Sequence, residues 1–203
     1  MHKLLHPGDK IGLITPSGPI TVEKLDKAIQ NVRSFGLEPV YLPSVNDKFG
    51  YLAGKDTERI KELHAMFEKD DVKAVLCVRG GYGVNRILDQ IDFNFIKKNS
   101  KPLIGFSDIT ALLSGIYRKT GLPGFHGIVG ASKFTEYTRK CFTDIFMSNK
   151  TEITIKISKK YSENPKVLRS GNAEGTMIGG IFQFCVHYSG PIMILIGQIK
   201  SFS

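Results

Sequence analysis

The stretch Gly105-Phe106-Ser107-Asp108 places a serine between a short apolar run, Pro102–Phe106, and a helical pattern over Ile109–Thr120. A serine at a strand-to-helix turn has the arrangement of a nucleophile elbow. The sharp turn exposes its hydroxyl, and the amide of the next residue, here Asp108, points into the same space and can stabilise an oxyanion. The last glycine of G-x-S-x-G is absent, however, and Ser or Asp is equally suited to capping the helix that follows. Arg79-Gly80-Gly81-Tyr82-Gly83 is a second candidate. Its glycines let a substrate approach the backbone, and their amides can bind an anion or oxyanion. No Lys-Ser/Thr pair follows and the spacing is not G-x-G-x-x-G, so it is no phosphate loop of those types, and a tight turn without a ligand also fits. His126, in Gly124-Phe125-His126-Gly127, is a possible base for Ser107 or a hydrogen-bonded structural histidine. A triad is defined by geometry, which spacing does not supply.

The elements that must position these residues can be read from apolar periodicity. Lys10–Thr15 is a short buried strand that ends at Pro16-Ser17-Gly18-Pro19. A helical pattern opens at Thr21, with Val22, Leu25, Ala28, Ile29 and Val32 on one face, and Gly36 stops it. Glu38–Leu42 is predicted to be a strand, Asp56–Glu68 a helix, Lys73–Val78 a strand and Val84–Ile91 a helix. Strands alternating with helices at this spacing mean βαβ units and a mostly parallel sheet, with right-handed crossovers and ligand sites at the strands' carboxyl ends. The glycine-rich turn and the Ser107 turn both fall at such ends. From about Lys133 the pattern changes: Thr151–Ser158 alternates strictly, as a half-buried antiparallel strand does, and 159–165 is polar. The expected organisation is an α/β domain over 1–140, a linker and the start of a second domain over 141–180, and a separate tail over 181–203.

Composition bounds the alternatives. The 203 residues are 41% hydrophobic and 23% charged, an ordinary globular balance. The net charge of +9 permits anionic partners. The basic residues are scattered without an arginine-rich run, so neither nucleic acid nor an acidic membrane is expected. Cys77, Cys141 and Cys185 form an odd set with no C-x-x-C spacing, which argues against disulfides or zinc and for reduced thiols in a cytoplasm. No metal or cofactor is expected. Signal-peptide and membrane-spanning patterns are absent.

Gly50-Tyr51-Leu52-Ala53-Gly54, Arg79–Gly83, Gly105–Thr110 (GFSDIT), Phe125-His126-Gly127, and Ala173-Glu174-Gly175 with Gly179-Gly180 occur in one order along the chain. Together they resemble the LD-carboxypeptidase family of serine peptidases, which includes muramoyltetrapeptide carboxypeptidases and microcin immunity peptidases. The resemblance covers about residues 7–180. It implies an N-terminal α/β domain of nucleophile-elbow type, a C-terminal domain around a barrel-like sheet, a homodimer, and a Ser-His-Glu triad. The activity it implies is release of the terminal D-amino acid from murein tetrapeptide in the cytoplasm, as in cell-wall recycling. Ser107 matches the family's nucleophile, and the amides of Asp108 and Gly81 match its oxyanion hole. Arg79, Gly80, Tyr82 and His126 are then expected along the bound peptide. His126 does not match the family's catalytic histidine, since both Glu and His come from the C-terminal domain.

After Gly180 the chain departs from the family pattern. The tail 181–203 has no acidic residue and no sustained apolar period. Loss of one base at the codon of Gly180 accounts for this. Rebuilding each codon from the third base of one present codon and the first two of the next, with permitted codon choices, gives NLSVLCTLLGTYYDIDWANKILF. This reproduces the family's asparagine-leucine-serine, leucine-rich helix and Gly-Thr. Ile181–Ser203 is therefore expected to be a frameshifted tail, and the chain as written to be inactive and poorly stable for want of the family's Glu and His. Other functions are a peptide-binding α/β module that does not cut its ligand, a peptidase for microcin-type peptide conjugates, and an unrelated anion-binding protein.

Overall fold

In the computed structural model, residues 4–150, 152–154, 175 and 180 are described. Five short strands form one parallel sheet: β1 (Lys10–Ile14), β2 (Glu38–Val40), β3 (Val72–Cys77), β4 (Leu103–Gly105) and β5 (Phe125–His126), in the order β2-β1-β3-β4-β5. The helices are α1 (Val22–Arg33), α2 (Asp56–Glu68), α3 (Phe93–Lys98), α4 (Ile109–Thr120) and α5 (Glu136–Phe146). The expected α/β class with a parallel sheet is what the chain adopts.

Alternation along the strands explains the layering, because successive side chains leave a strand on opposite faces. Val75 and Cys77 of β3 join Leu63, Met66 and Phe67 of α2, Ile96 of α3 and Leu112 and Ile116 of α4. Ala74, Leu76 and Val78 join Leu25, Ala28 and Val32 of α1 and Phe142 and Phe146 of α5. The result is three layers, with α2, α3 and α4 on one face of the sheet and α1 and α5 on the other. Gly12 allows α2 to come close: a Cβ there would meet the Met66 sulfur at 2.9 Å.

One local expectation is revised. Val84–Ile91 is not an α-helix but a pair of 3-10 turns, Val84–Arg86 and Leu88–Gln90. Each turn is closed by i→i+3 bonds, including Ile87 N to Val84 O at 3.0 Å and Gln90 N to Ile87 O at 3.0 Å. Val84, Ile87, Leu88 and Ile91 are all buried, so the turns follow the core they must reach. α5 stacks Phe142 on Phe35 at 4.5 Å, and Phe142 and Phe146 pack with α1. Glu152, Ile153 and Thr154 have no regular structure. The rest of the expected strand over 151–158, nearly all of the 159–180 segment and the tail 181–203 lie outside the described residues. Among the described residues no helix is long and apolar enough to cross a membrane.

Candidate active site

The strand order reverses between β1 and β3, so the loops leaving their carboxyl ends depart in opposite directions and open the crevice where such sheets bind ligands. Three segments meet there: the loop after β1 (15–19), the glycine-rich loop after β3 (79–83), and the β4–α4 turn that carries Ser107. The loop 49–54 lies over the first, with Ala53 N donating to Ser17 O at 3.0 Å.

Ser107 is the sole non-glycine residue with positive φ among the described residues, at +69°. A serine in the left-handed region costs about 1–2 kcal/mol relative to ordinary backbone. The strain comes from forcing a strand into a helix across one residue. Thr110 N donates to Ser107 O at 2.9 Å, which starts the first turn and leaves the Asp108 amide, at the helix N-cap, without an acceptor inside the helix. Gly80 stands directly against the elbow: a Cβ on it would meet Ser107 Cβ at 2.8 Å and Ser107 Oγ at 3.2 Å. Gly81, at φ +144°, faces the backbone of Gly18, where a Cβ would meet N and Cα at 2.9 Å. Only glycines let these loops approach so closely. Gly80 and Ser107 are therefore in contact, while Gly81 stands against Gly18.

The Asp108 side chain does something the sequence did not signal. It does not cap α4. It is buried, and its Oδ2 accepts from Ser17 Oγ at 2.6 Å and from Val84 N at 3.1 Å. One carboxylate thus links the elbow to both crevice loops. Ser17 lies 91 positions away in the chain, so no local pattern announces the pair. Arg79 is half-buried and donates from one terminal nitrogen to Pro19 O at 2.8 Å. Tyr82 is exposed, with its ring 5.7 Å from that of Tyr51.

His126 is half-buried beside the turn, with the Phe106 ring edge-on at 6.4 Å. No hydrogen bond joins it to Ser107, and its Nε2 is buried without a partner. Burial holds its imidazole below the usual histidine range, which favours the neutral ring. The Cys77 thiol, at the end of β3, is fully buried and pushed up by desolvation, so it stays protonated and inert. Among the described residues no group of three or more His, Cys, Asp or Glu side chains could hold a metal ion.

An elbow serine under backbone strain, with an amide-rich loop against it, is the equipment of acyl transfer. Residues 11–127 match the family described as LD-carboxypeptidase N-terminal domain. The chain belongs to the LD-carboxypeptidase family. This family member is 38% identical over 183 residues to the "Probable murein peptide carboxypeptidase" of Bacillus subtilis (strain 168), covering 88% of this chain and 56% of the relative. It is 31% identical over 204 residues to the "Microcin C7 self-immunity protein MccF" of Escherichia coli, covering 85% of this chain and 59% of that protein. The solved structure of MccF without ligand superposes with a TM-score of 0.78 at 28% identity, over 94% of this chain and 65% of that one. A muramoyltetrapeptide carboxypeptidase from Oxalobacter formigenes superposes with a TM-score of 0.73 at 29% identity, over 89% and 60%. The chain thus spans a little over half the length of these curated relatives.

Proposed function

We propose that this chain carries the nucleophile half of a serine LD-carboxypeptidase that releases the terminal D-amino acid from murein tetrapeptide in the cytoplasm. The observation that supports it most is the strained left-handed Ser107 at the β4–α4 junction, with Gly80 pressed against its side chain. In this reading Ser107 Oγ attacks the carbonyl carbon of the scissile L,D bond while a base takes its proton. The amides of Asp108 and Gly81 stabilise the oxyanion. The amine of the D-amino acid leaves with that proton, and water then hydrolyses the ester on Ser107. Arg79, Gly80, Tyr82 and His126 lie along the peptide. The absence of a Ser107–His126 hydrogen bond and the unpartnered, neutral imidazole support a base other than His126. In this reading the base and its orienting carboxylate come from the family's C-terminal domain.

The test is release of the terminal D-amino acid from tetrapeptide by two forms: the 203-residue chain, and the chain extended in the restored frame. The extended form should turn over substrate and lose this with Ser107→Ala. The 203-residue chain should be slower by about 10⁴–10⁶-fold, the usual cost of a missing triad member. Full turnover by Ser107→Ala would sink the nucleophile assignment, and equal rates for the two forms would sink the frameshift. A second reading, cleavage of microcin-type peptide conjugates, is favoured by the likeness to MccF, one structure of which is described as a complex with aspartyl sulfamoyl adenosine. Running both substrate classes side by side separates the two.

A further inference from the structure

Arg59 is a charged side chain with no place in the chemistry above, yet it is 1% exposed, on the sheet-facing side of α2. Its NH1 donates to Pro16 O at 2.6 Å and to Gly83 O at 3.0 Å. Its NH2 pairs with Asp56 Oδ1 at 2.5 Å, and Asp56 also holds Arg86, at 3.0 Å through Oδ2. The Arg86 and Arg59 guanidiniums keep the Asp56 carboxyl below the ordinary range, so the acceptor is ionised. Nε of Arg59 is buried without a partner. A guanidinium withdrawn from water with one donor unsatisfied is expensive to keep, and ordinary packing at this position would not require it.

What it holds gives the reason. Pro16 belongs to the loop after β1 and Gly83 to the loop after β3. The next residue in each loop, Ser17 and Val84, is held by Asp108 Oδ2. The Pro16–Ser17 and Gly83–Val84 steps are therefore clasped twice, by a cation on their carbonyls and by an anion on their hydroxyl and amide donors. The anion is the residue next to Ser107. Between the two clasps lie Gly18, Gly80 and Gly81, whose backbones meet closely, and Gly80 stands against Ser107. The fit is tight on the Arg59 side as well: a Cβ on Gly83 would come within 3.2 Å of NH1.

We propose that Arg59 is a positioning residue: through Pro16 O and Gly83 O it sets the spacing of the β1 and β3 loops, and so the placement of the Gly80–Gly81 backbone against Ser107. A planar fork suits two carbonyls on separate loops, whereas the compact, flexible ammonium of lysine does not reproduce that geometry. The catalytic consequence rests on the serine-peptidase reading; the loop-spacing role does not.

The test is Arg59→Lys in the full chain, read by site-resolved amide hydrogen exchange and by peptidase kinetics in the frame-restored form. Exchange at Val84, whose amide donates to Asp108 Oδ2, and at Ala53, whose amide donates to Ser17 O, should rise by roughly tenfold or more, the equivalent of one lost charge-assisted hydrogen bond. Leu13 and Leu76, in the strand cores, should keep their protection. In the kinetic arm kcat for tetrapeptide should fall by a similar factor with KM within about twofold, since a displaced oxyanion amide acts on the transition state. Unchanged exchange at the Val84 and Ala53 amides, or a rise spread equally over β1 and β3, overturns the proposal. So does equal loss in kcat and in affinity. If neither frame cleaves peptide with Arg59 intact, the peptidase reading fails while the exchange arm still decides the positioning role. Should Arg59→Lys not fold, Asp56→Asn, which loosens the guanidinium from its other partner, should give the same loop-restricted pattern at smaller amplitude, and its absence there also overturns the proposal.

Discussion

Glu62 offers a quantitative check on the packing beneath the crevice. Its carboxylate is 2% exposed, under the end of β1. Oε2 accepts from Thr15 N at 2.7 Å and Thr15 Oγ1 at 3.3 Å, and Oε1 accepts from Ser44 Oγ at 3.2 Å. Burial raises its pKa from 4.5 to about 7, against the opposing pull of those hydrogen bonds, and the Asp47 charge adds to the rise. Between those two values the folded chain holds a proton that the unfolded chain has released. Stability therefore falls as pH rises through this window, and the penalty is complete above about pH 7. At about 1.36 kcal/mol per pH unit, the displacement corresponds to about 3 kcal/mol. A glutamine at 62 can keep an oxygen on Thr15 N and turn its amide toward Ser44 Oγ, without a charge to desolvate. Glu62→Gln should match the parent near pH 4.5 and exceed its stability by about 3 kcal/mol at pH 8. Urea unfolding of both chains from pH 4.5 to 8 measures this. The difference between the chains isolates Glu62 from His64 and His126, whose imidazoles burial holds low and which cost stability as pH falls. A difference that is flat with pH, or that shrinks as pH rises, refutes the reasoning.

Ser107→Gly should raise stability by about 1 kcal/mol by releasing the left-handed strain, whereas Ser107→Ala should not; thermal unfolding of both separates backbone strain from loss of the hydroxyl. Asp108→Ala leaves Val84 N and Ser17 Oγ without their shared acceptor in a buried site, and should destabilise by about 2–3 kcal/mol in urea unfolding. A loss below about 0.5 kcal/mol would mean that the carboxylate does not link the loops.

The sequence alone determined the α/β class and the parallel sheet, and it pointed to the strand-end loops where the candidate site is proposed. Those follow from local signals: apolar runs of strand length, helical spacing over Asp56–Glu68 and Ile109–Thr120, and glycine clusters at strand ends. It also singled out Ser107, because a serine between a strand and a helix is legible as a turn. Short or context-dependent elements were not legible. β5 is two residues long and exists because β4 offers it an edge. Val84–Ile91 carries helical spacing but is drawn into 3-10 turns by the core it anchors. α5 is held by Phe142 and Phe146, which pack with Phe35 and α1. The least legible features are the two clasps. Asp108 meets Ser17 across 91 positions, and Arg59 meets Gly83 across 24 and Pro16 across 43. Periodicity records only neighbours along the chain. A charge buried between two loops depends on where the whole sheet brings those loops together, and that is decided by tertiary structure.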